Sequence, residues 1–395
     1  MDYYKNHTSI TYIASEQALC EWCNEWRSAQ LLAVDTEFIR TNTFYPKLAL
    51  IQVAVDSLPD RQFIIDPLEI QDLTPFFALL KEEHPIKILH SGSEDLEIFF
   101  HLTGELPARV IDTQIAACLM GDPLQMGYSS LLSKHLSIEI SKTETRTNWL
   151  MRPLTALQVD YAAIDVKYLI DLYAYQMSLI EPLNRVSWLE EECENFKNKI
   201  IKQRDIYYPV HKMGDLKGLS SHEKNKARAL VLWREKIARE EDVPRRFVLS
   251  DDSLLKLSRR HSVKMQDLFS FELSSKVVKK YGDQIIGKLV EKNTFDWSAI
   301  DLPEENETIL PSDLKPLACN IISAIAVDLG LDPVFLLPKR LLQLALHYFW
   351  DCYILRKEAV LLSHELQGWR KEVVVFPLFE ALKHQFVIFQ SVSAN

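Results

Sequence analysis

The sequence predicts an α/β domain built on a mixed sheet, followed by two small all-α bundles. Three observations carry this expectation. Apolar runs of strand length alternate with amphipathic helical stretches through residues 1–175. The strand pattern disappears beyond about residue 180, and the remaining chain is helical in two blocks parted by an acidic stretch. At 395 residues, with 47% hydrophobic and 10% aromatic content, the chain can bury two or three cores.

Ser9–Ala14 reads as a short strand and Glu16–Arg27 as an amphipathic helix. Leu31–Phe38 opens with four apolar residues that run into Asp35-Thr36-Glu37. A run of this kind, bounded by polar residues, is a strand buried on both faces. Leu48–Val55 and Gln62–Ile65 are further strands, the second closed by Asp66-Pro67. Connections among these early strands are too short for crossovers, so they should pair antiparallel. A helix over Asp72–Lys81 and a strand over Ile86–His90 come next. Helix Glu94–His101 is then capped by Ser93, and strand Arg109–Asp112 leads into helix Gln114–Met120. Tyr128–His135 and Ala156–Met177 complete the domain as helices, and 182–205 reads as a charged connecting helix.

Residues 211–290 are helical and basic, with 18 lysines and arginines against 11 aspartates and glutamates. That net of +7 leaves −17 on the rest of a chain whose total is −10. The expected organisation is a first domain over 1–180, a connecting segment over 181–210 and a helical domain over 211–290. An acidic linker over 291–312, with Pro303 and Pro311, then leads to a second helical domain over 313–395.

Composition excludes several function classes. No apolar run approaches the roughly 18–20 residues that span a bilayer. The N-terminus lacks the basic and apolar regions of a signal peptide, so a cytoplasmic protein is expected. With ten glycines there is no P-loop and no dinucleotide fingerprint, which argues against ATP- or NAD-driven chemistry. Cys20 and Cys23 form a C-x-x-C without a second pair at zinc spacing, inside a helical stretch, and read as packing residues.

The chemistry-bearing residues fall in three clusters. Alternation along a strand puts Asp35 and Glu37 on one side and Thr36 on the other. Two carboxylates projecting together from a buried strand repel each other and lose hydration, unless a cation lies between them. Magnesium and manganese take such oxygen ligands. Glu94 and Asp95 open a helix, a position the helix dipole favours even without a metal. Tyr161 and Asp165 are four apart on a helix, hence on one face, with Asp165 between Ile164 and Val166. Together Asp35, Glu37, Asp95 and Asp165 could hold two divalent ions roughly 3.5–4 Å apart, the arrangement of in-line phosphoryl displacement.

In this order, Asp-x-Glu, then Asp, then Tyr-x-x-x-Asp, the chain resembles the DEDD exonucleases with a tyrosine in the third motif. The wider sequence resembles the bacterial ribonuclease D family. The likeness rests on Val34-Asp35-Thr36-Glu37-Phe38, Tyr45-Pro46-Lys47-Leu48 with Leu50-Ile51-Gln52, and His90 through Leu96. Asp112-Thr113-Gln114, Gly127-Tyr128 and Tyr161 through Val166 add to it. Residues 211–290 resemble an HRDC domain through Gly218-Leu219, Ala227–Trp233, Pro244 and Phe247-Val248-Leu249; 313–390 resemble a second, divergent HRDC-like bundle. The resemblance implies a ribonuclease H-like mixed sheet and a 3′→5′ exoribonuclease that uses two magnesium or manganese ions. By that likeness Asp35, Glu37 and Asp165 would hold the ion carrying the attacking water. Asp35 would bridge to the second ion, Asp95 would act partly through water, and Tyr161 would orient the nucleophile. The implied substrates are RNA 3′ ends, above all tRNA precursors and other structured small RNAs, handled by a monomer. A DNA 3′→5′ exonuclease with the same site, and a non-catalytic RNA-binding scaffold, are the rival readings.

Neighbouring residues allow two readings each. His90 could face the cleft or sit at a strand end in the core. Phe99 and Phe100 could stack on a terminal base or pack internally. Asp112 could cap a helix or bind metal. Lys142, Arg146 and Arg152 could touch RNA backbone or belong to a solvated loop. In the basic module Lys224, Lys226, Arg228, Arg245 and Arg246 are the expected phosphate contacts.

Overall fold

The strand that carries Asp35 and Glu37 lies inside a six-stranded sheet of order β1-β4-β3-β2-β5-β6. The computed structural model describes residues 9–140, 147–213, 218–290, 310–357 and 360–393. The strands are β1 (Ile10–Ile13), β2 (Leu31–Ile39), β3 (Lys47–Val55), β4 (Gln62–Ile65), β5 (Ile86–Leu89) and β6 (Val110–Asp112). As the short connections predict, β2, β3 and β4 pair antiparallel. The remaining pairs, β1 with β4, β2 with β5 and β5 with β6, are parallel.

Alternation along β2 sorts its residues. Leu32, Val34 and Phe38 turn to the face covered by α1 (Glu16–Trp26), α2 (Thr74–Lys81) and α3 (Ser93–Thr103), against Leu19, Trp26, Phe76 and Phe99. Each fully buried residue of this size contributes roughly 1.5–3 kcal/mol. Ala33, Asp35 and Glu37 face the other way. There α4 (Thr113–Leu119), α5 (Ala156–Lys167) and α6 (Leu169–Ile180) form the second layer. The β2/β3 register shifts between Glu37 and Phe38, a bulge of the kind that re-aims side chains beside a site.

One expected helix is two. The pattern over 156–177 is continuous, but the backbone breaks at Tyr168, with φ −111° and ψ 8°. The Tyr128 hydroxyl fills the break: it accepts from the Tyr168 N–H at 3.1 Å and donates to the Ile164 carbonyl at 3.3 Å. A partner 40 residues away in the chain leaves no mark on local periodicity.

Helix α7 (Val186–Arg204) is more than a connector. Leu189, Cys193 and Ile200 are buried against the first domain. The flank bearing Trp188 and Glu192 holds the second helical bundle: α11 (Leu314–Leu329), α12 (Lys339–Phe349) and α13 (Phe376–Ser393). Just before α7, Arg185 donates to the carbonyls of Leu119 and Leu329, ending α4 and α11 together. Trp188 stacks on Trp369 at 4.5 Å, and Glu192 takes Trp369 Nε1 and the Arg370 guanidinium. Gly121 has φ +93°, and a Cβ there would lie 2.5 Å from the Gly330 carbonyl oxygen. One apolar core therefore runs from Ala33 and Ile88 to Leu382.

The basic module, α8 (Ser221–Glu240), α9 (Asp251–Ser258) and α10 (Ser275–Val290), has its own core. It grips the first domain through the loop that leaves β2. Phe44 is buried in the module's core, and Asp242 accepts from the N–H groups of Phe44 and Tyr45 at 3.0 and 2.9 Å. The acidic linker lies outside the described residues except for 310–312. Cys23 is buried with Leu19 and Trp26, in keeping with packing, whereas Cys20 is exposed and does not pack.

Arg152 has a structural role in place of an RNA contact. It holds Asp66 through Nε and Nη2 at 2.5 and 2.7 Å and donates to the carbonyl oxygens of Ala49 and Trp149. Burial pushes the Asp66 carboxyl up, but the Arg152 and Tyr12 hydrogen bonds outweigh it and the net shift is downward. Arg152→Met would strand a fully buried carboxylate. Loss of one partner of such a pair costs about 3–5 kcal/mol. Urea unfolding should report a loss of this size.

Candidate functional site

Asp35, Glu37 and Asp165 each offer a carboxylate oxygen, and the three oxygens lie within 4.8 Å of one another. Strand alternation supplies the first two from β2. The third comes from α5, which a capping box of Thr155 and Gln158 starts less than two turns before Tyr161. Among the described residues no other group of acids, histidines or cysteines is gathered in this way.

The crowding shows in the electrostatics. Burial, then repulsion from Asp95, Asp165 and Glu37, holds Asp35 well above the ordinary carboxylate range. Burial, then Asp165 and Asp95, raises Glu37 to about 8. Asp165 rises to about 7 through burial, although the Tyr161 hydrogen bond works against it. Burial and the three acid charges push the Tyr161 phenol further up, so it stays protonated and donates to Asp165. Three carboxylates with no lysine or arginine among them form an all-oxygen donor set, which fits a hard divalent cation.

Asp95 stands beside this group without joining it. It is buried in the first turn of α3, and its carboxylate accepts a hydrogen bond from the Thr36 hydroxyl. Burial raises it to about 6, against the lowering effect of that bond. The expected Ser93 cap is corrected: Gly92 is the cap residue, and no side chain caps the helix. A Cβ at Gly92 would meet Leu89 Cδ2 at 2.6 Å, so only glycine fits the turn. Asp112 does the ordering. Its carboxylate accepts from the N–H groups of Ser91, Gly92 and Gln114 at 3.1, 2.9 and 2.8 Å. It caps α4 and fixes the loop that presents Asp95.

The remaining expectations resolve case by case. His90 is half-buried at the strand end: Nδ1 lies 2.9 Å from the Thr113 hydroxyl, and burial holds its pKa below the ordinary value. Phe99 is fully buried, and Phe100 lies 5.7 Å beneath the Arg204 guanidinium. Lys142 and Arg146 lie outside the described residues. Lys226 is a correction to the expected phosphate contacts. It is buried, and its ammonium donates to the Arg260 carbonyl at 2.7 Å, so its charge points inward. Arg245 pairs with the buried Glu235 and stacks 4.7 Å above Phe44, joining the modules. Lys224 and Arg228 are half-buried and already engaged. Arg246 is exposed, 5.4 Å over the exposed Phe247 ring. Thr36 and Tyr128 escaped sequence reasoning, since their partners lie 59 and 36–40 residues away.

Residues 10–181 match the 3′-5′ exonuclease family, and residues 223–289 match the HRDC domain. The chain is 35% identical to ribonuclease D of Pseudomonas paraeruginosa, over 95% of this chain and 98% of that one. To ribonuclease D of Escherichia coli it is 30% identical, over 94% and 98%. The crystal structure of Escherichia coli RNase D, an exoribonuclease involved in structured RNA processing, superposes with a TM-score of 0.81 at 29% identity. That superposition covers 95% of this chain and 99% of the other.

The raised acids tie stability to pH. Between their ordinary values and about 8 for Glu37 and 7 for Asp165, the folded chain binds more protons than the unfolded one. Stability contributed by these groups is therefore lost as pH rises through that window. In chelator, the melting temperature should fall from pH 6 to pH 8, and less steeply in Asp165→Asn. Magnesium should flatten the wild-type curve, because a bound cation takes the place of the protons. Parallel thermal melts check this.

Proposed function

The chain belongs to the ribonuclease D family and is a 3′-5′ exoribonuclease; from that premise we propose that Asp35, Glu37, Asp95, Asp165 and Tyr161 are its catalytic set. The observation that carries this reading is the meeting of Asp35, Glu37 and Asp165 within 4.8 Å, beside a protonated Tyr161. Two divalent ions, magnesium or manganese, would supply a water of lowered pKa and charge neutralisation at the leaving 3′-oxygen. Asp35, Glu37 and Asp165 would hold one ion, and Asp35 with Asp95 would hold the other. Tyr161 is a poor base at its raised pKa, so it orients the attacking water by hydrogen bonding. The products are nucleoside 5′-monophosphates.

On this reading residues 1–180 carry the chemistry and 211–290 the RNA grip. Grip on phosphate, not on base edges, leaves the reaction tolerant of sequence. The module's net charge of +7 within a chain of −10 would draw RNA to it, through Lys224, Arg228 and Arg246. We take the substrates to be tRNA precursors and other structured small RNAs, processed by a monomer in the cytoplasm. No described helix is long and apolar enough to cross a membrane.

A 3′-extended tRNA precursor and a matched single-stranded DNA, each incubated with and without magnesium or manganese, test the function. Stepwise shortening of the RNA with mononucleotide release is expected, abolished by chelator. Asp35→Asn should stop hydrolysis while leaving the fold and RNA binding intact; undiminished hydrolysis in that variant overturns the site.

Tyr161→Phe separates orientation from metal holding. Its turnover should drop about 10²-fold, within the range of a positioned proton-transfer or orienting group. Calorimetric metal affinity should stay near wild type. Wild-type turnover would mean that another group places the water.

A further inference from the structure

Gln52 is a buried glutamine with an unanswered amide. It is fully buried in β3, and among the described residues neither its amide nitrogen nor its amide oxygen has a hydrogen-bond partner. Buried amides are almost always satisfied, because taking one out of water uncompensated is unfavourable. Its place in the sheet is specific. Gln52 stands directly across from Asp35 in the antiparallel β2/β3 register. Direct cross-strand partners share a face, with Cβ atoms roughly 4.5–5.5 Å apart, so the amide lies on the acid face beside Asp35. On its other side the same row continues with Ile64 of β4, and Val159, Ala162 and Ala163 of α5 close over that part of the sheet.

We propose that Gln52 is a positioning residue whose amide N–H groups hydrogen-bond the Asp35 carboxylate when that carboxylate ligates a divalent ion. A carboxylate has about four lone-pair sites, and Asp35 has the Thr36 backbone N–H as a donor. Once one oxygen serves a cation, the other needs further donors to stay in place. Carboxylate ligands are in turn hydrogen-bonded, and loss of such an outer partner lowers metal affinity or activity by about 10–100-fold. Gln52 is the donor within reach from the neighbouring strand. Gln62 is its internal contrast. That residue is also buried with an unpartnered amide nitrogen, but it stands across from Ala54, in a row whose β2 member is Ala33.

The inference rests on Asp35 as a metal ligand, and the test keeps the two apart. Full-length wild type, Gln52→Met, Gln62→Met and Asp35→Asn are compared by calorimetric manganese titration and by thermal unfolding in chelator. Gln52→Met should bind manganese about 10–100-fold more weakly. Its metal-free melting temperature should be unchanged or higher, since an apolar side chain replaces an unsatisfied amide. Its KM for RNA should stay at the wild-type value, and excess manganese should restore part of the turnover. Gln62→Met should keep wild-type manganese affinity. Wild-type affinity in Gln52→Met, with binding lost in Asp35→Asn, overturns the role of Gln52 alone. A lowered metal-free melting temperature in Gln52→Met also overturns it, because the amide would then have had a partner in the metal-free fold. Unchanged binding in Asp35→Asn overturns the underlying site.

Discussion

Like charges do not gather by themselves, and three carboxylate oxygens within 4.8 Å must be held there by the rest of the fold. The restraint begins with β2, an interior strand paired on both sides. Its Leu32 and Val34 lock into one core while its acids face the other way. The apolar anchorage of that strand offsets the desolvation and repulsion that raise Asp35, Glu37 and Asp165. Asp165 is fixed from the far side, where the Tyr128 hydroxyl satisfies the carbonyl next to it and stops the helix two residues later. Asp95 is presented by a loop that Asp112 ties down with two backbone hydrogen bonds, from Ser91 and Gly92. The scaffold thus stores unfavourable charge proximity, which a cation would relieve.

Much of this was legible in the sequence, for an identifiable reason. Period-two alternation dictates that Asp35 and Glu37 share a face, and four-residue spacing puts Tyr161 above Asp165. Those local rules survive folding. The strands form where expected because the runs are apolar, short and bounded by turn residues. What escaped depended on partners distant in sequence. Arg152 looked like a surface cation, but Asp66, 86 residues away, claims it. Lys226 counted toward the module's positive charge, yet its ammonium is spent on the Arg260 carbonyl. The break at Tyr168 and the engagement of Thr36 with Asp95 were likewise invisible to any window a few residues wide.

The helical modules relate to the nuclease sheet in two different ways. The basic module keeps a separate core and docks on the loop after β2, with Phe44 inserted and Asp242 clamping the backbone, while Arg239 donates to the Arg204 carbonyl at the end of α7. That loop leaves directly from the strand bearing Asp35 and Glu37, so the module's seat and the acids belong to one continuous segment. Tyr45 extends the joint by stacking on His101 at 3.9 Å, with Arg204 above it at 4.9 Å. The second bundle has no separate core. It shares one with α4, α6 and α7, and Arg185 and Glu192 stitch the boundary.

That shared core bears on the order in which the chain can mature on the ribosome. Synthesis proceeds from the N-terminus, and domains generally fold as they emerge. The sheet, its acids and α7 are complete by residue 204, but the outer side of α4 and α7 waits for Leu314–Leu382 to cover it. Until then Leu119, Leu189 and Trp188 lack their partners, and the backbone at Gly121 lacks the close contact with Gly330. The half-made protein therefore carries an apolar wall through the synthesis of more than a hundred further residues. A nascent chain in that state has reason to be shielded by a chaperone, and its compaction waits for the second bundle.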